Sequence, residues 1–209
     1  QGESGWASNG RRLLSVLKAS SSMLPCAEDL GSVPACVPRV LGELGILGLR
    51  VLRWTRDWGR AGQPYVELSD YPRLTVACPS VHDSSSLREW WEKEADRGQV
   101  WAFVSRSLGK NLGSAPEKAS PAAVSAILQA LARSGSAIVV YPIQDLLALG
   151  ERWRPADPSL ERVNVPGTYN EWNWGWRLPA AIEEIAAEES LAAAAKKVAA
   201  ARKASQGAA

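Results

Sequence analysis

Apolar residues along this chain fall into alternating helical and strand-like stretches. Leu13, Leu14 and Leu17 stripe a short helix that ends in the serine run Ser20–Ser22, and the strand-like MLPCA follows. Ser32 is placed to cap the next helix, with Pro34 in its first turn and Val37, Val40, Leu41 and Leu44 at i, i+3, i+4 and i+7. Gly45 closes it, and ILGLRVLRW reads as a second strand. A third strand, LTVACPSV, spans Leu74 to Val81. Ser86 and Glu89 then form a capping box for a helix with Leu87, Trp90, Trp91, Glu94 and Ala95 on one side. A further helix opens at Ser120–Pro121, carries Val124, Ile127, Leu128 and Leu131, and stops at Gly135. SAIVVYPIQDLL reads as the fourth strand.

Continuous apolar strands separated by amphipathic helices predict an α/β fold, a parallel sheet covered by helices. The stretch from Thr55 to Arg73 lacks a helical stripe and reads as a long loop, a kind of segment that is often functional. From Pro179 onward the chain is helix-prone, because alanine loses no side-chain entropy in a helix. The last 24 residues hold 12 alanines, which are too small to anchor the segment firmly. Helix is expected to about Lys203, with fraying afterwards.

Composition narrows the classes of function. Of 209 residues 46% are hydrophobic, enough for one sizeable core, and a net charge of +2 gives no footprint for nucleic acid. No apolar run approaches a membrane span, and the polar, Gly-rich start is not a signal peptide. Three cysteines form no disulfide framework, so a reducing, cytoplasmic setting is expected. Neither metal-ligand spacing nor a phosphate-binding glycine fingerprint occurs, and no cofactor is expected. The aromatic choice is skewed, with 10 Trp against 1 Phe.

Polar residues cluster where each strand loses its apolar character: Glu28–Asp29, Arg50 and Arg53, His82–Asp83, and Gln144–Asp145. The C-terminal edge of a parallel sheet is where sites are assembled from different strands. Asp29 reads equally well as a first-turn acid of the next helix, whereas Ser32 leaves Glu28 without a capping use. Three serines make Asp83 redundant as a cap, and it follows the chain's single histidine. A lone histidine at a strand end is by itself more often a core residue than a catalyst. Paired carboxylates among tryptophans suggest carbohydrate chemistry, in which one carboxyl of a retaining enzyme is a nucleophile and another is acid, then base. Indole faces stack on the C–H faces of sugars, although most of the ten can equally serve as core.

Three blocks sharpen this reading: LPCAEDLGSVPACVPRVLGELGILGLRVLRW, YPRLTVACPSVHDSSSLREWWE and VNVPGTYNEWNWGWRL. In that order they resemble the C-terminal half of the 4-α-glucanotransferases, the amylomaltases or disproportionating enzymes, from Met23 to Leu178. The resemblance implies a (β/α)8 barrel and an α-retaining double displacement that moves segments of α-1,4-glucans and maltooligosaccharides between donor and acceptor. It matches Glu28 to the general acid/base at the fifth strand and Asp83 to the transition-state-stabilising carboxylate at the seventh. It matches His82 to the subsite where cleavage occurs and Asn164 to a sugar-contacting loop residue; Asp29, next to Glu28, is a further candidate for substrate binding, and the expected setting is the cytoplasm or, for a plant or alga, the plastid stroma.

One family feature has no match. The nucleophile is an aspartate at the fourth strand, and before Glu28 this chain offers only Glu3. The expectation is therefore strands five to eight over residues 1–178, a helical tail over 179–209, and two open strand edges. The same reading expects no turnover by these residues alone and names the N-terminal half of the barrel as a partner. The alternative is a glucan-binding module that keeps the stacking without the chemistry.

Overall fold

The computed structural model describes residues 2–206, and side chains as far as Lys203. Helix α1, Glu3–Ala19, packs against α2, Cys36–Leu44, through Ala7, Cys36 and Val40. Gly45 ends α2 in the left-handed region at φ 63°, where a glycine carries no Cβ penalty. Ser32 does not cap α2; Ala35 occupies that position without a side-chain bond.

Three strands follow in chain order: β1, Gly48–Val51; β2, Thr75–Cys78; and β3, Ile138–Val139. They pair in parallel in the order β1-β2-β3, with Leu49 opposite Val76 and Val76 opposite Ile138. The expected first strand is reduced to a single parallel bridge from Cys26 to Leu47. The expected fourth strand is cut to two residues, because Pro142 has no N–H for the ladder and heads a short helix that carries Gln144 and Asp145.

That short helix is α6, Ile143–Leu147, and it takes its number from its place in the chain. Before it come α3, Leu87–Lys93; α4, Arg97–Leu108; and α5, Pro121–Ala132. Helix α4 is absent from the periodicity reading, yet Asp96 caps it by accepting the Gln99 N–H at 3.0 Å, and Gly109 closes it in the left-handed region. The capping box on α3 is half made. Ser86 accepts the Glu89 N–H at 3.2 Å, but the Glu89 carboxylate turns away to Arg162 at 2.7 Å.

The core lies between the sheet and these helices. Trp91, Phe103, Leu52, Leu87, Ile127, Leu128 and Leu131 are fully buried there, and Trp91 meets Trp101 edge-on at 5.6 Å. Half of the tryptophans are not core: Trp6, Trp54, Trp58, Trp172 and Trp174 are exposed. The Thr55–Arg73 stretch is irregular apart from a bridge between Arg56 and Tyr65 and a 3-10 turn at Leu68–Asp70.

After a 3-10 turn at Pro158–Glu161, the chain ends in α7, Ile182–Ala186, and α8, Glu189–Gln206. The tail is better anchored than its alanines suggest. Helix α8 lies on α5 and buries Leu191, Val198 and Ala201. Arg202 donates to the carbonyls of Ala132, Ser134, Ser136 and Ala137, which ties the tail to the turn before β3. The fraying expected beyond Lys203 falls in part on residues 207–209, outside the described residues. Among the described residues no helix is long and apolar enough to cross a membrane.

Candidate functional site

Polar residues follow the C-terminal ends of the parallel strands, on loops after β1 and β2 and on α6 after β3. Beyond β2, the segment from Pro79 to Ser86 carries His82 and Asp83, both about half exposed. Asp83 accepts a hydrogen bond from the Asn164 side-chain amide at 2.6 Å, and its carboxylate lies 3.4 Å from His82 Nε2. The Trp174 ring sits over His82 with centroids 5.0 Å apart. Trp174 holds φ at 62°, a left-handed conformation that is strained for a bulky residue. Its N–H is fixed to the Val163 carbonyl at 2.7 Å, while Asn173 accepts the Val165 N–H at 3.1 Å. Three sequence-predicted residues, His82, Asp83 and Asn164, thus converge, and Trp174 joins them.

Glu28 and Asp29 lie elsewhere on the same edge. They line a cavity of about 810 Å³ with Arg50, Trp54 and Trp58. Glu28 is exposed and has no hydrogen bond or ion pair among the described residues. Asp29 is internal to the fold: it accepts the Leu49 N–H at 2.7 Å and pairs with Arg50 at 3.0 Å. These bonds replace the helix-start role that the sequence left open. Gly48 makes room for them, since a Cβ there would lie 2.7 Å from Asp29 Oδ2. Gly48→Ala is therefore expected to displace the Asp29 carboxylate and cost about 1–3 kcal/mol, read as a lower midpoint in urea unfolding.

Between the two groups an apolar cavity of about 360 Å³ opens on the sheet, lined by Leu49, Val76, Cys78 and Val140, with His82 at its rim. Leu49 also lines the Glu28 cavity, so the two spaces adjoin. A sugar-sized ligand has room here, and carboxylates, an imidazole and indole faces border the space. Among the described residues no group of three His, Cys, Asp or Glu side chains is placed to hold a metal ion.

Behind the loops lies a buried polar layer whose contacts sequence reasoning does not reveal. Asp145 is fully buried, accepts the Leu87 N–H at 3.1 Å and takes a longer bond from Ser80 Oγ at 3.4 Å. Burial outweighs those donors and pushes its carboxyl up to about 7. Glu161 accepts Ser86 Oγ at 2.6 Å and pairs with Arg88, and burial raises its carboxyl as well.

A pH dependence of stability follows. A carboxyl whose folded pKa lies above its unfolded value near 3.8 contributes stability at low pH, and that contribution is lost as pH rises toward about 7. Asp145→Asn is expected to flatten the decline in urea midpoint between about pH 4 and pH 7 relative to the parent. Parallel curves for the two proteins would refute this.

Residues 3–183 match the family described as 4-alpha-glucanotransferase. A 4-alpha-glucanotransferase of Chlamydia muridarum is 34% identical over 87% of this chain and 33% of its own length. The 4-alpha-glucanotransferase DPE2 of Oryza sativa subsp. japonica is 34% identical over 89% of this chain and 19% of its own. The chain thus spans a third or less of the length of these relatives. Among solved structures, an amylomaltase from Streptococcus agalactiae in complex with acarbose aligns with a TM-score of 0.64 at 21% identity, covering 92% of this chain and 34% of that one. The amylomaltase from Corynebacterium glutamicum gives 0.62 at 18% identity, covering 86% and 28%. With residues 3–183 matching the family model and the fold shared with amylomaltases, this chain belongs to the 4-alpha-glucanotransferase family.

Proposed function

We propose that these residues form part of the site of a 4-α-glucanotransferase, which transfers segments of α-1,4-glucans between maltooligosaccharides by a retaining double displacement. Among the described residues, 2–178 supply strands five to eight of its barrel and 179–206 a helical tail, with the Cys26 bridge standing for the fifth strand. Glu28, exposed and without a partner among the described residues, protonates the leaving glycosidic oxygen and then deprotonates the acceptor hydroxyl. Asp83 faces the positive charge that develops on the sugar ring, while His82 and Asn164 hold hydroxyls around it. Asp29 acts at one remove, by fixing Arg50 beside Glu28. The aspartate nucleophile comes from outside these residues, on the N-terminal half of the barrel.

The observation that carries this reading is the contact of His82, Asp83, Asn164 and Trp174 at the end of a parallel strand, beside the cavity that holds Glu28. The test is a graft in which residues 3–183 replace the matching third of the Chlamydia muridarum relative. The graft is expected to convert maltotriose to glucose and longer maltooligosaccharides, and the 209-residue chain alone to convert none. Turnover by the chain alone would overturn the division of labour. A folded graft that binds maltooligosaccharides saturably without turnover would favour a non-catalytic glucan-binding module.

A further inference from the structure

We infer that Arg53 is a positioning residue, a clamp that sets the loop carrying His82 and Asp83. That loop leaves β2 at Pro79 and enters α3 after Ser86. Its own ties are local and centre on Ser84: the Ser84 N–H and Oγ reach the Val81 carbonyl at 3.1 and 3.0 Å, the Val81 N–H reaches Ser84 Oγ at 3.1 Å, and Ser84 Oγ also meets the Ser85 carbonyl at 3.1 Å. Arg53 reaches it from the end of β1 and holds both of its ends. Its Nε donates to the Pro79 carbonyl at 3.4 Å, and its two Nη atoms donate to Ser85 Oγ at 2.5 Å, the Ser85 carbonyl at 2.9 Å and the Ser86 carbonyl at 3.4 Å. Trp90 covers the guanidinium at 5.0 Å.

The position is a costly one for a charge. Arg53 is 6% exposed, none of the ion pairs among the described residues includes it, and burial lowers it to about 10. A planar fork with donors in fixed directions suits the task of holding two chain segments at a set separation, and an ammonium does not. Asp145 also grips the two ends, through Ser80 Oγ at 3.4 Å and the Leu87 N–H at 3.1 Å. The two ends of the loop are thus set by groups that touch neither ring, and its tip, tied at Asp83 to Asn164, is carried on them to place His82 under Trp174.

The inference rests on the glucan-site reading of His82 and Asp83, but its test uses no glucan, so either can fail alone. His82 is the chain's single histidine, so histidine-labelled protein gives one imidazole signal in nuclear magnetic resonance spectra. Trp174, 5.0 Å away and tilted 39°, gives that signal a ring-current shift and a nuclear Overhauser contact. Arg53→Met keeps length and apolar contact but removes the fork. With circular dichroism unchanged, it is expected to lose the His82–Trp174 contact and move the imidazole signal toward that of free histidine. Arg53→Lys is expected to do the same. A merely structural Arg53 would lower the unfolding midpoint and leave the imidazole signal in place, which would overturn the inference. If neither variant folds, backbone order parameters of the parent decide: about 0.85 across residues 80–86 supports a clamped loop, and below about 0.6 sinks it.

Discussion

Glu161→Ala is expected to destabilise the chain by about 3–5 kcal/mol, the usual consequence of removing one partner of a buried ion pair. The Arg88 and Glu161 side chains are only 5% and 3% exposed, so water cannot take over from the lost carboxylate. Arg88 would keep the Pro155 carbonyl at 3.1 Å, while its Nε already lacks a partner among the described residues. Ser86 would lose its 2.6 Å acceptor at the same time. In thermal unfolding this corresponds to a fall of roughly 6–20 °C for a domain of this size. Replacing both charges, Arg88→Met with Glu161→Leu, is expected to cost far less, because no unpaired ion remains. A single substitution that costs under about 1 kcal/mol would show the pair to be hydrated in solution.

Glu28→Gln in the active graft is expected to lower turnover of maltotriose by about 10²–10⁴-fold, the range spanned by general acid–base catalysis. The amide keeps the shape of the side chain but can neither protonate a leaving oxygen nor accept a proton. A donor with a fluoride leaving group needs no protonation, so its first step should recover while transfer to the acceptor stays slow. Asp83→Asn should not be relieved by such a donor, since the charge it faces forms whichever group leaves. A Glu28→Gln graft within tenfold of its parent on maltotriose would remove Glu28 from the acid/base role.

The sequence is most legible where local chemistry fixes both ends of an element. Helix α5 shows its start in Ser120–Pro121 and its face in Val124, Ile127, Leu128 and Leu131, and it forms over Pro121–Ala132. Helix α4 is harder to see because its apolar residues Val100, Trp101, Phe103 and Val104 are nearly consecutive and blur the stripe; Asp96 and Gly109 are its readable marks. The run SAIVVYPIQDLL illustrates a limit of periodicity, since a short buried helix and a buried strand are equally apolar. Of the site, the strand-end residues were visible as polar interruptions in apolar runs. Their supports were not, because Arg53 finds Ser85 32 positions away and Arg88 finds Glu161 73 positions away. Such pairings belong to the tertiary fold, and no local pattern encodes them.

The clasp between α8 and the turn before β3 has a consequence in time. Arg202 lies 70 positions beyond its acceptor at Ala132. At a synthesis rate of about 5–20 residues per second, roughly 4–14 s separate the emergence of these two groups from the ribosome. During that interval the face of α5 that later receives α8 has no cover from it, so the nascent chain carries this apolar surface for seconds before its seal can be made.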